Sequence, residues 1–324
     1  MKEYRAGNNI PSPSDGAPVI RCWDLVVAYG SLVAVNGLTL DIYRGECFGL
    51  LGPNGAGKTT AVEVFEGLLS PRSGTVEILG ETWGRSEADD RRLRQRLGVA
   101  LQETHFPENL TVFEIIRLFR SFYRGGREIN ELIALLGLEE KRNARVGKLS
   151  GGQRQRLALT CALVGAPEII FLDEPTTGLD PQARLTIWRA VEALVQDGCT
   201  VVLTTHYMEE AARLCRRVGI IDSGRLIALD SPAGLVRTLG AGEIVELKTE
   251  GEFPLESVRR VPGVHRAEKR DQQWILMVND SAQTLPGILN TLSVQGMRVN
   301  SVSTHQATLE DVFVHLTGKG LGDE

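Results

Sequence analysis

The sequence predicts an α/β fold: a mostly parallel sheet with helices, followed by a small C-terminal α+β domain. Three features point to it. Short apolar runs alternate with helical stretches up to Asp230, the pattern of a parallel sheet with crossover helices. One glycine-rich loop, Gly52-Pro53-Asn54-Gly55-Ala56-Gly57-Lys58-Thr59-Thr60, separates a buried strand from a helix. Near Leu239-Gly240-Ala241-Gly242 the character of the chain changes, and a separate set of strands and helices begins.

Residues 1–18 are polar and rich in Pro, Ser, Gly and Asn, and read as a disordered extension. The first domain is expected over 19–238. It opens with an alternating strand at 19–29 and a second strand at 38–42. Cys47-Phe48-Gly49-Leu50-Leu51 is a buried strand leading into the glycine-rich loop, and 61–69 is the helix after it. A strand at 74–80, a charged helix at 91–96 and a short strand at 97–101 ending on Gln102 follow. Helical periodicity over 111–138 breaks at Arg124-Gly125-Gly126. The turn Leu149-Ser150-Gly151-Gly152-Gln153 precedes a helix over 154–164. Then come the apolar strand 168–172, a helix from Pro181 to Gln196, the strand 199–205, a helix at 209–214 and a hairpin about Ser223-Gly224. The second domain is expected over 243–318, with strands at 243–249, 273–278 and 299–303, helices near 255–261 and 282–295, and a closing amphipathic helix at 309–316.

The glycine-rich loop matches G-x-x-x-x-G-K-[ST], and its strand–loop–helix setting is the context that motif requires. Glycines at 52, 55 and 57 let the backbone curl until N–H groups from Asn54 to Thr60 face inward as an anion nest. The nest stands at a helix N-terminus, where the dipole favours a polyphosphate. Lys58 adds a mobile charge for the terminal phosphates, and the Thr59 hydroxyl is the expected Mg²⁺ ligand. A second strand answers the loop: Ile169 to Leu172 deliver Asp173 as the metal's carboxylate partner, with Glu174 beside it to polarise an attacking water.

Composition excludes several other classes. The 324 residues carry a net charge of −5, which gives no basic footprint for nucleic acid. Five cysteines, odd in number and never in C-x-x-C, read as reduced core residues. No apolar run approaches ~18 residues, so no membrane span is expected.

Over 19–232 the motif order resembles the ATP-binding subunit of ABC transporters. Leu149-Ser150-Gly151-Gly152-Gln153 looks like the signature of that family; Asp173-Glu174-Pro175 and Gly178-Leu179-Asp180-Pro181 look like its acidic strand and D-loop. Gln102 stands at the Q-loop position and His206 at the switch histidine. The resemblance implies a P-loop ABC ATPase domain with a parallel sheet plus antiparallel β and helical subdomains, using ATP and Mg²⁺. It makes Glu174, His206, Gln102 and Lys58 catalytic and assigns the metal to Thr59, Gln102 and Asp173. The nucleotide would contact the phosphate loop, Tyr29 and Val33 around adenine, and Ser150, Gly151, Gly152, Gln153 and Asp180 from the signature and D-loop. For Tyr29 the competing reading is a strand tyrosine with its ring on the core. One phosphate loop and one signature per chain imply a head-to-tail dimer of two such subunits sharing two ATPs.

Thr205-His206-Tyr207-Met208-Glu209-Glu210-Ala211 and Thr308-Leu309-Glu310-Asp311-Val312-Phe313 are similar to the daunorubicin-resistance type of exporter subunit. That likeness implies a separate six-helix permease, reached through the 103–111 segment with Phe106, Pro107 and Leu110, and a peripheral place on the cytoplasmic face of the membrane. Arg145-Val146-Gly147-Lys148 lacks the acidic sequence of fused-type exporters, so contacts of those proteins are not carried over. Two alternatives stay open: a soluble ABC ATPase linked to ribosomes or DNA, and an importer subunit.

Overall fold

A computed structural model describes residues 16–101, 104–250, 253–270 and 273–318. The chain divides into two compact units, one of them Ala233–Gly318 and the other ending at Pro232 before that segment.

In the first unit, β1 (Pro18–Tyr29) and β2 (Leu32–Tyr43) form an antiparallel pair whose register shifts repeatedly. β3 (Cys47–Leu51) leads into α1 (Lys58–Phe65). β4 (Ser73–Ile78) adds to β1, giving a three-stranded sheet of order β2-β1-β4. α2 (Glu87–Arg94) and β5 (Leu97–Ala100) follow. The helices α3 (Val112–Arg120), α4 (Ile129–Leu135) and α5 (Gly151–Leu163) come next. Then β6 (Ile169–Asp173), α6 (Pro181–Gln196), β7 (Thr200–Thr204), α7 (Met208–Leu214), β8 (Arg217–Asp222) and β9 (Arg225–Asp230) complete the unit.

The six-stranded sheet has the order β5-β6-β7-β3-β8-β9. Every neighbouring pair is parallel except β8 with β9. Strands β3, β6 and β7 are buried at every residue, as expected for strands covered on both faces. One apolar cluster joins Ile20 and Ile42 of the smaller sheet, Ala61 and Phe65 of α1, and Phe48, Phe171 and Val202 of the larger sheet. Because β3, β6 and β7 run side by side in one direction, the loops leaving their C-terminal ends open on one edge, where ligands of open parallel sheets bind.

α8 (Pro232–Arg237) begins at the division. The second unit continues through β10 (Glu243–Glu250), α9 (Leu255–Arg259), β11 (Val264–Arg270), β12 (Gln273–Val278), α10 (Ser281–Val294), β13 (Arg298–Gln306) and α11 (Leu309–Thr317). Its four-stranded sheet, β11-β12-β10-β13, is antiparallel throughout. Val245, Leu247, Leu276 and Val278 pack with Ile288 and Leu292 of α10 as a separate core.

Several sequence expectations shift. The helix expected from Arg154 starts at Gly151, because Ser150 and Gln153 form a capping box: Ser150 N–H donates to Gln153 Oε1 at 3.0 Å, and Gln153 N–H to Ser150 Oγ at 3.3 Å. Strand β11 was not expected; only Ala267 of its residues is buried, so its sequence lacks an apolar alternation. All five cysteines are buried and none is in a disulfide. Among the described residues no helix is long and apolar enough to cross a membrane.

Candidate active site

The loop after β3 turns through Gly55 (φ 73°) and Gly57 (φ 99°), both in the left-handed region. At Gly57 a Cβ would also collide with the Ala34 carbonyl oxygen, so only glycine fits. Gly57 is the N-cap of α1 and no side chain caps that end, which leaves the first N–H groups of the helix to face the loop's hollow. Lys58 is buried; its Nζ donates to the carbonyls of Gly52 (2.9 Å) and Pro53 (3.1 Å), tethering the ammonium across the loop. Burial lowers the Lys58 pKa, and the nearby Glu174 and Asp173 carboxylates oppose that shift.

β6 ends on Asp173, which is also buried. One of its carboxylate oxygens accepts a short hydrogen bond from the Thr204 hydroxyl of β7, and the other accepts from Thr59 Oγ1 at 3.4 Å. Thr59 and Asp173 therefore present hard oxygen donors side by side, a set suited to a small divalent cation such as Mg²⁺. The next residue, Glu174, takes a left-handed backbone (φ 47°), and its N–H is held by Thr204 O at 3.1 Å. Glu174 Oε2 accepts from Thr177 Oγ1 at 3.1 Å and lies 3.2 Å from His206 Nδ1. His206 follows β7, and its ring packs on that of Tyr207 with centroids 4.2 Å apart. A cavity of about 530 Å³ brings these pieces together, lined by Asn54 through Thr60, Glu174, His206 and Tyr29. An anion nest with a buried cation, the Thr59 hydroxyl and a carboxylate–imidazole pair share one opening, with Asp173 behind Thr59.

A family model described as ABC transporter matches residues 35–177, and one described as ATP-binding protein DrrA1-3-like, C-terminal domain, matches residues 236–317. A curated relative, Nod factor export ATP-binding protein I of Cupriavidus metallidurans, is 37% identical over 300 residues, covering 91% of this chain and 96% of the relative. The chain belongs to the ABC transporter ATP-binding family. Daunorubicin resistance ATP-binding protein DrrA2 of Streptomyces coeruleorubidus is 39% identical over 299 residues, covering 90% of this chain and 92% of that one. Among solved structures, a dimeric ATP-binding cassette in a post-hydrolysis state with ADP and Pi has a TM-score of 0.60 and 27% identity, covering 65% of this chain and 98% of that one. As an ABC cassette this chain is an ATPase, and adenine nucleotide is its ligand.

The remaining expected residues of the ABC cassette divide between the cavity wall and positions away from it. Ser150, Gly151, Gly152 and Gln153 form the first turn of α5, away from the cavity lining. Asp180 caps α6, accepting from Ala183 N–H at 2.9 Å. Tyr29 is half exposed at the cavity wall, not turned into the core. Leu32 and Ala34 line that wall, and Val33, exposed, stands between them in β2. Gln102 lies outside the described residues. Arg154 is exposed and Arg156 donates to the Leu136 and Gly137 carbonyls, so both are structural or solvated charges.

Several buried acids were missed, Glu66 and Glu210 among them. Glu66, after the last turn of α1, is 6% exposed, and its pKa is pushed up to about 8, first by burial and then by the Asp173 and Glu63 carboxylates. Its folded-state pKa is above the unfolded value, so the stabilisation it gives is complete below about pH 4.5 and is lost as pH rises through about 8. In that window unfolding releases a proton, and stability should fall by at most ~1.4 kcal/mol per pH unit. Denaturant titrations from pH 5 to 9 should show this slope, and Glu66→Gln should flatten it; equal slopes in both proteins would rule the assignment out. The second acid is Glu210, fully buried in α7.

Proposed function

We propose that this chain is the ATP-hydrolysing subunit that powers export of a substrate through a separate membrane-spanning permease. The observation that carries the chemistry is the meeting of the Lys58 loop with the Glu174–His206 pair in one cavity. Export is supported by the Nod factor and daunorubicin relatives, which align over nine-tenths of the chain. In this reading Lys58 and the N–H groups of Asn54 to Thr60 hold the phosphates, and Tyr29 lies against the adenine. Glu174 takes the proton of the attacking water, and His206 holds the Glu174 carboxylate in place. Thr59 and Asp173, with Gln102, would hold Mg²⁺, which when bound neutralises phosphate charge.

The signature turn lies outside this cavity, so a second ATP-binding subunit supplies it: Ser150, Gly151, Gly152, Gln153 and Asp180 face the nucleotide held by the other copy. This is a peripheral subunit on the cytoplasmic face of the membrane, held there by its permease. Phe106 and Leu110, expected to present the docking surface, are half buried, and Phe106 packs edge-on to Phe119 with centroids 5.8 Å apart. Exposed apolar side chains beside them are Leu68 (64% exposed) and Phe122 (63%), the latter edge-on to Phe119 with centroids 6.1 Å apart. Co-expressed with its permease, the chain should sediment with membranes through a salt wash. Leu68→Asp combined with Phe122→Asp should move it to the supernatant and stop transport while nucleotide binding persists. A doubly substituted chain that stays membrane-bound and transports would place docking elsewhere.

A further inference from the structure

Behind the Glu174–His206 pair lies a buried polar cluster that the proposed chemistry does not use. Its centre is Glu210 of α7, which has no exposed surface. Glu210 Oε1 accepts from Trp188 Nε1 at 2.8 Å, and Trp188 belongs to α6, the helix that Asp180 caps. The Thr205 and Thr176 hydroxyls face the same carboxylate, and both threonines are buried. Thr205 Oγ1 in turn accepts from Tyr207 N–H at 3.0 Å, bracketing His206 between two anchored residues. Arg184 of α6 lies over the other partner of that stack, with its Cζ 4.4 Å from the Tyr207 ring centroid. Glu210 thus touches α6, the turn after Glu174 and the segment that carries His206.

Three polar atoms in this cluster are buried without a hydrogen-bonding partner among the described residues: Glu210 Oε2, Thr176 Oγ1 and Arg184 Nε. Thr176 Oγ1 is near the carboxylate but out of hydrogen-bond geometry with it. Leaving a buried donor or acceptor unmatched is unfavourable by about 1–3 kcal/mol, so this cluster is held by the Trp188 bond and by packing and not by a complete polar network. Thr176 lies in the turn 174–179, which connects Glu174 to Asp180.

We infer that Glu210 is a positioning residue for hydrolysis: anchored on Trp188, it ties the 174–180 turn to the Thr205–Tyr207 segment and so sets His206 against Glu174. This rests on the roles proposed above for His206 and Glu174. Glu210 is separated from the phosphate-holding loop in sequence and does not line the nucleotide cavity, so its loss should spare nucleotide affinity.

The test is ATPase kinetics on purified full-length chains, with nucleotide affinity measured alongside. Glu210→Ala should lower kcat on the order of 10²-fold, the effect of a misplacement near 1 Å, with nucleotide Kd unchanged. Trp188→Phe, which removes only the indole donor, should lower kcat in the same way and serves if Glu210→Ala does not fold. Glu210→Gln, whose amide oxygen can still accept from Trp188, should recover most of the loss. In a His206→Ala background, Glu210→Ala should cost little more, because the two act as one unit. If His206→Ala lowers turnover and Glu210→Ala then multiplies that loss in full, or if both Glu210→Ala and Trp188→Phe turn over like the wild type, the inference is wrong. A wild-type rate for His206→Ala alone overturns the role given to His206, and this inference with it.

Discussion

Glu174→Gln lowers ATP turnover by roughly 10²–10⁴-fold while nucleotide still binds, the range that general-base assistance supplies. The amide keeps the size of the carboxylate and an oxygen that can accept from Thr177 Oγ1, but it cannot take a proton from water. The loop of Lys58 is untouched, so ATP should be held without being cleaved and the dimer should persist in its closed form. Cysteines placed at Ser150 and Gly55 on opposite copies then report the arrangement: with Glu174→Gln and ATP they should crosslink between chains. A wild-type turnover in Glu174→Gln would remove Glu174 from the mechanism, and crosslinks found only within chains would remove the shared site.

Lys58→Ala should instead act on binding. Its ammonium is already desolvated and tethered by the Gly52 and Pro53 carbonyls, so it meets phosphate with little of its own freedom left to lose. A hydrogen bond to a charged group is worth about 1.5–3 kcal/mol, which corresponds to a loss of roughly 10- to 150-fold in affinity. Titration of nucleotide into the variant measures it directly. An unchanged Kd would mean that the backbone nest carries the phosphates without the lysine.

The phosphate loop and the acid pair after β6 were legible because each combines a fixed spacing with an apolar strand, and local chain geometry does the rest. The 59–173 pairing spans 114 residues and crosses β7, which lies between β3 and β6, so it follows only once both strands are placed in one parallel sheet with their C-terminal ends on the same edge. Other features failed for identifiable reasons. That Leu32 and Ala34 line the cavity was not legible, because a strand's parity is set by its partners and β2 pairs with β1 through a shifting register. The start of α5 was missed although Ser150 and Gln153 stand three apart, a capping signal present in the sequence. Glu209 and Glu210 are adjacent and chemically equal in sequence; which of them turns inward depends on where α6 packs, and Trp188 is the residue that decides it. Glu63 and Glu66 both interrupt the apolar stretch from Val62 to Leu69, and the sequence does not show which of the two turns inward; in the fold Glu66 is the buried one.

The backbone at Glu174 carries a consequence for how this chain can change over generations. A side-chain-bearing residue at φ 47° costs roughly 1–2 kcal/mol relative to one that tolerates the left-handed region, and glycine would relieve it. Mutation therefore presses on this position toward a sturdier protein that no longer turns over. Under the role proposed for Glu174, selection for hydrolysis would hold glutamate there against that pressure. A lineage in which the subunit served only as a nucleotide-gated scaffold would drift to glycine or asparagine at 174 and become harder to unfold as it did so.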